Sequence, residues 1–150
     1  MESVSVLESH LGYWLRMVSN QVSFSFARRL RSHGVTVAEW VLMRHLFRQT
    51  DAQAVALADA TGLTRGAVSK LVDRLETKRL LNRKNSKEDL RREKLNLTSE
   101  GARLVPILAR LADKNDRAFF VSLKPEERAH LLALLQAVAQ ANCITSAPTD

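Results

Sequence analysis

Little in this chain provides for a covalent staple, a metal centre or a membrane. Cys143 is the sole cysteine among 150 residues, so no disulfide can close within the chain, and a reducing, intracellular setting is expected. The four histidines, His10, His33, His45 and His130, are scattered. No grouping of His, Cys and acidic residues has metal-ligand spacing, so neither a metal nor a cofactor is expected. No stretch reaches the ~18 unbroken apolar residues of a membrane span. The opening MESVSVLESH lacks the basic start and apolar run of a signal peptide. A cytoplasmic protein with no membrane partner is the expectation. Nothing offers a nucleophile–base pair or a phosphate-cradling loop, so no enzyme is expected. Gly (5) and Pro (3) are few, so helix should dominate.

Aromatics are scarce too, and their placement is informative. All eight, Tyr13, Trp14, Phe24, Phe26, Trp40, Phe47, Phe119 and Phe120, lie outside residues 48–118. A surface that stacks unpaired RNA bases needs aromatics beside its cations. Here the cations gather where the aromatics are absent. Between Arg65 and Lys94 there are 11 Lys/Arg against 5 Asp/Glu, which accounts for most of the net charge of +7. Basic charge concentrated on one segment is the footprint of a polyanion site, although a solvated basic face gives the same count.

That segment contains the stretch around which the chain is organised, Thr64–Glu76, TRGAVSKLVDRLE. Val68, Leu71, Val72 and Leu75 fall at i, i+3, i+4 and i+7, one stripe of an amphipathic helix. The opposite face carries Gly66, Ser69, Lys70, Asp73, Arg74 and Thr77. A Gly in mid-face costs about 1 kcal/mol relative to Ala, and makes sense where another molecule approaches the backbone. Upstream, Ala58 lets two helices cross closely, Gly62 turns the chain, and Thr64 caps the second helix. This is helix-turn-helix spacing, in which the second helix enters the DNA major groove. A helical hairpin in a bundle would share part of the pattern.

Elsewhere, residues 7–31 read as one long helix through Leu7, Leu11, Trp14, Leu15, Val18, Val22, Phe26 and Leu30, ending at Gly34. Its length suggests packing against a second chain. Thr36 and Glu39 form a capping-box pattern for a helix over 37–48 that should bury Val37, Trp40, Val41 and Phe47 or nearby positions. After the reading helix, residues 80–84 and 93–97 suit two short strands around a charged tip, a wing. Thr98 can cap a helix over 99–121 with Pro106 inside it, and Leu104, Ile107, Leu108 and Leu111 as its stripe. LKPEER starts a last helix striped by Leu131, Leu134, Leu135 and Val138, although Lys124 is a poor N-cap.

The fold expected is therefore mainly α with a small β-hairpin wing. A winged helix-turn-helix over 36–98 is flanked by long dimerisation helices over 1–35 and 99–142, with a tail over 143–150. This order closely resembles the MarR family of bacterial winged-helix transcription regulators. LADATGLTRGAVSKLVDRLETKRLLNRKNSKEDLRREKLNLTSEG carries the likeness, above all Asp89-x-Arg91 followed by LxLTxxG (Leu95, Leu97, Thr98, Gly101). Arg79 departs from it, standing where many members turn with Gly. The resemblance implies a homodimer joined by its first and last helices, bound to a palindromic operator. It also implies repression relieved by a small aromatic or phenolic effector held where the long helices meet the DNA-binding unit.

Residue roles follow. On the reading helix, Ser69 and Lys70 are placed for base edges, with Gly66 admitting close approach and Arg65 and Arg74 at the margins. Thr64 can bond a phosphate at the helix N-terminus. On the wing, Arg91 would enter a narrow minor groove, and Asp89, by resemblance, orients it. Arg83, Lys84, Lys87 and Arg92 would meet phosphates, with a solvated surface role the competing reading for each. Trp14, His33 and Trp40 are the candidate effector residues, with core packing the competing role for each. Cys143 is expected to be passive, since peroxide-sensing relatives use a cysteine in the first helix. A winged helix that binds an acidic protein instead of DNA would share this charge pattern, but would select no operator.

Overall fold

The computed structural model describes residues 4–85 and 93–145. Among them are six α-helices and one hairpin: α1 (Leu11–Arg31), α2 (Val37–Leu46), α3 (Ala54–Thr61), α4 (Arg65–Thr77), β1 (Leu81–Asn85), β2 (Glu93–Leu97), α5 (Ser99–Phe119) and α6 (Pro125–Ala141). The mainly α architecture with a two-stranded wing is that read from the sequence.

The first helix begins later than its periodicity suggests. Leu7–Ser9 form a 3-10 turn, and His10 is extended (φ −98°, ψ 125°). The Ser9 hydroxyl donates to the Val6 carbonyl (2.7 Å), and His10 Nδ1 lies 3.1 Å from the same oxygen. Local side-chain bonds of this kind compete with helix propagation. The C-terminus is as expected: Gly34 takes φ +66°, and the Val35 N–H reaches back to Leu30 O.

Thr36 and Glu39 form the anticipated capping box at α2 (Glu39 N–H to Thr36 Oγ1, 3.2 Å; Thr36 N–H to Glu39 Oε2, 2.8 Å). The buried face of α2 differs from expectation. Leu42, Met43 and Leu46 are buried with Glu39, while Val37, Trp40 and Val41 are half-buried and Phe47 is exposed. The helix stops at Leu46, so Phe47 falls outside the face that meets the core.

The core gathers Leu30, Leu42, Met43, Leu46, Leu57, Val68, Leu71, Val72, Leu75, Leu81, Leu95, Val105 and Leu108. Each fully buried aliphatic side chain contributes roughly 1.5–3 kcal/mol. Because four of these residues lie on α4, burial fixes which way that helix faces. Gly62 makes the turn before it at φ +72° and donates to Ala58 O (2.9 Å).

The wing pairs antiparallel, with Leu81 opposite Leu97 and Asn85 opposite Glu93. A feature absent from the sequence reading joins it: Ala52, between α2 and α3, exchanges both backbone bonds with Leu95 (3.1 and 2.8 Å). α5 ends at Phe119, two residues short of the span read from sequence, and buries Gly101, Val105, Leu108 and Asn115. Leu104 and Leu111 are half-buried and Ile107 is exposed. Lys124 does not cap α6 with its side chain; instead its N–H donates to Glu127 Oε2 (2.8 Å).

Candidate DNA-binding surface

Burial of Val68, Leu71, Val72 and Leu75 turns the other side of α4 outward. Thr64, Arg65, Gly66, Ser69, Lys70 and Arg74 are all exposed, so the structure brings these six residues onto one open face. Thr64 Oγ1 accepts the Ala67 N–H (3.1 Å), which caps the helix. A hydroxyl accepting in this way keeps its own hydrogen for a phosphate. A Cβ built on Gly66 meets nothing within 4 Å. The chain's own packing therefore gives no reason for glycine there.

Arg83 behaves differently from its sequence assignment. Half-buried on β1, it is ion-paired with Asp73, with Glu76 (Nε to Oε2, 3.0 Å) and with Glu93 (Nη1 to Oε2, 3.5 Å). The Glu76 contact is an ion pair rather than a directed hydrogen bond. Arg83 thus faces carboxylates instead of open solvent. It pairs with both acids of α4, Asp73 and Glu76, and ties the wing to the helix. Arg65, Lys70 and Arg74 of α4 are exposed, and no ion pair holds them among the described residues. Lys84 is exposed on the same strand. Lys87, Asp89, Arg91 and Arg92 lie outside the described residues.

The β2 edge of the wing is pinned by Asp51, which has φ +57°. Asn96 Nδ2 donates to Asp51 Oδ1 (2.9 Å), the Asp51 N–H donates to Asn96 Oδ1 (2.8 Å), and Lys94 Nζ donates to Asp51 Oδ2 (3.1 Å). The Asn96 amide, and then the Lys94 ammonium, hold the Asp51 carboxyl below the usual carboxylate range.

The three candidate effector residues do not converge. Trp14 donates its indole N–H to Glu8 O (2.8 Å) and meets Tyr13 edge-on. Trp40 meets Phe26 edge-on (centroids 6.3 Å). Twelve residues of helix separate Trp14 from Phe26, about 18 Å at 1.5 Å per residue. His33 is exposed at the α1–α2 corner. What the fold does form is a cleft of about 460 Å³ between α1, α2, α5 and α6, walled by Phe26, Val37, Asp113, Asp116, Arg117 and Arg128, with Asn115 also in its lining. Trp40 reaches its rim only through Phe26. Asn115 is buried, accepting from Arg29 Nε and donating to Val22 O (both 3.2 Å). The sequence does carry a signal for it. Asn115 continues the stripe Leu104, Leu108, Leu111 at helical spacing, and a polar residue on a buried stripe needs partners.

Among the described residues, no helix is long and apolar enough to cross a membrane.

Known proteins resemble this chain in sequence and in fold. The MarR family model matches residues 33–92. The HTH-type transcriptional regulator SarZ of Staphylococcus haemolyticus is 25% identical over 138 residues, covering 92% of each chain. Among solved structures, BpsR of Bordetella bronchiseptica, whose DNA binding is regulated by 6-hydroxynicotinic acid, superposes with a TM-score of 0.80 at 23% identity, over 91% of this chain and 98% of that one. MepR of S. aureus, solved in complex with DNA, superposes with a TM-score of 0.75 at 24% identity, over 88% and 98%. The MarR family model thus falls on α2, the helix-turn-helix and the first strand of the wing, and the chain shares the fold of BpsR and MepR over nearly its full length.

Proposed function

We propose that this chain is a MarR-family transcriptional regulator that acts in the cytoplasm as a homodimer on a palindromic operator, and represses the promoter it occupies. Two copies of α4 would sit in successive major grooves, with half-sites about one helical turn, ~10 bp, apart. The observation that carries this reading is the outward face of α4, with its cations in the open and its carboxylates held by Arg83.

Pairing of two chains is supported by apolar surface on the first and last helices of the chain. Leu11, Leu15 and Val18 on α1 are exposed, as are Leu132, Leu134, Leu135 and Val138 on α6, and no residue of α6 is buried. Contiguous apolar surface of this kind marks an association site. The stripe that reads as helical core in the sequence has no core of its own chain to enter.

The cleft between α1, α2, α5 and α6 supports release by a small aromatic molecule. Phe26 and Val37 supply apolar walls and Arg117 a cation, while Asp113 and Asp116 also line the cleft and Arg128 is paired with Asp116 (2.9 Å). Regulation of BpsR by 6-hydroxynicotinic acid is consistent with an aromatic effector. Occupation of this cleft by such a molecule would favour the unbound state only by its difference in affinity between the two states.

The test is selection of duplexes from a random library by the purified chain. An enriched palindrome with half-sites ~10 bp apart supports the reading. Absence of any enriched sequence, together with capture of an acidic protein, would replace it with a protein-binding role.

A further inference from the structure

Lys78 stands in the basic segment, one residue beyond α4, yet its ammonium does not face outward. Its Nζ donates to Glu39 Oε1 (2.7 Å), to Glu39 Oε2 (2.7 Å) and to the Gly34 carbonyl (2.7 Å). An ammonium has three hydrogens, and these acceptors take all of them. Glu39 is fully buried, and its Oε2 also accepts the Thr36 N–H. One carboxylate therefore binds the start of α2 and the end of α4 together, and the same lysine reaches the glycine turn that closes α1.

From this geometry we infer that Glu39 and Lys78 are positioning residues for DNA reading. They fix the exit of the reading helix to the α1–α2 corner and so set the angle at which Ser69 and Lys70 are presented. The inference rests on α4 being the reading helix. Contacts to base edges require side chains held within about 0.5 Å of the productive geometry, so a hinge at the end of α4 matters more for chosen sequences than for bulk attraction to phosphate. Lys78 is accordingly removed from the set of phosphate contacts that charge counting suggests. Its pairing with a buried acid, across 39 residues of sequence, has no local signature.

The experiment compares the full-length wild-type chain with Lys78→Met, Glu39→Gln, Lys78→Arg and the double variant Glu39→Gln/Lys78→Met. Glu39→Gln retains an oxygen for the Thr36 N–H, so the α2 cap survives if Lys78→Met proves hard to fold. Binding is measured by fluorescence anisotropy on the duplex selected by the wild type and on a shuffled duplex of equal length, across a salt series. Lys78→Met and Glu39→Gln are each expected to weaken the selected duplex by roughly tenfold, comparable to one mismatched base pair, and to leave the shuffled duplex and the salt slope unchanged. The double variant should lose no more than either single change, and Lys78→Arg should recover most of the affinity. Equal losses on both duplexes with a shallower salt slope would make Lys78 a phosphate contact and overturn the inference. Folded variants that bind the selected duplex like the wild type would overturn it as well. A wild-type chain that selects no duplex would defeat the reading of α4 itself, a result recognisable before any variant is made.

Discussion

Gly101 lies so close to the Leu80 carbonyl that any Cβ at that position would overlap its oxygen. The neighbouring bonds show why the two residues meet. The Thr98 N–H donates to Leu80 O (3.1 Å), the Thr98 hydroxyl donates to Arg79 O (2.8 Å), and Thr98 Oγ1 accepts the Gly101 N–H (3.0 Å). Thr98 and Gly101, the polar end of the LxLTxxG pattern, thus cradle the turn that carries the chain from the reading helix into the wing.

Gly101→Ala should therefore destabilise the protein by at least the roughly 1–3 kcal/mol typical of overpacking, because the obstructing atom is backbone and cannot swing aside. Urea denaturation measures this. An alanine variant as stable as the wild type would mean that the turn can shift without loss.

Gly66→Ala should do the opposite for stability. Its Cβ enters open space, and alanine is favoured over glycine within a helix by about 1 kcal/mol. The variant should melt higher and bind its selected duplex more weakly, because the bare backbone is where DNA comes near. Higher stability with unchanged affinity would show that nothing approaches Gly66.

Much of the architecture was legible because its signals are local. Thr36, Thr64 and Thr98 announce helix starts by side chains that bond within three residues, and Gly34 and Gly62 announce turns by positive φ. The reading face followed from the stripe of Val68, Leu71, Val72 and Leu75. What was not legible depends on partners far along the chain. Arg83 looked like a phosphate contact because Asp73 and Glu76 are ten and seven residues away, on another element. The wall of the cleft was missed for a similar reason. Trp14, Trp40 and His33 look prominent in sequence, but the bonds of Asn115 to α1 come from 86 and 93 residues away. The apolar stripe of α6 was read correctly as a pattern, but its exposure in the single chain could not be read from period alone.

Arg79 shows a local signal pointing the wrong way. It adopts φ +57° where glycine would be comfortable, with its N–H on Glu76 O (2.8 Å) and the Leu80 N–H on Leu75 O (2.9 Å), the bonding of a Schellman turn. The left-handed conformation costs an ordinary residue roughly 1–2 kcal/mol, offset in part by the greater chain entropy that glycine loses on folding. Arg79→Gly should therefore raise stability by about 0.5–1 kcal/mol, read as a higher urea midpoint at unchanged slope. Arg79→Ala, still a side chain at positive φ, should not share the gain.

Asp51 supplies a pH dependence with a definite sign. Its carboxyl is held below the ordinary value of 3.8 by Asn96 and Lys94, so its contribution to stability is fully present above that value and is lost as pH falls through the lower folded-state value. Between pH 5 and pH 2, the wild type should lose more stability than Asp51→Asn. Parallel acid titrations of the two proteins, followed by thermal melts, check this; equal losses would remove Asp51 as a tie between the wing and the α2–α3 segment.

The central claim is that α4 reads base sequence through its outward face, with Lys70 at the middle of it. The most direct measurement is the affinity of Lys70→Ala for the selected duplex and for a shuffled duplex at one salt concentration. The account predicts a loss of about 1–3 kcal/mol on the selected duplex and a much smaller loss on the shuffled one. Equal losses on the two would contradict it, since Lys70 would then contribute charge alone.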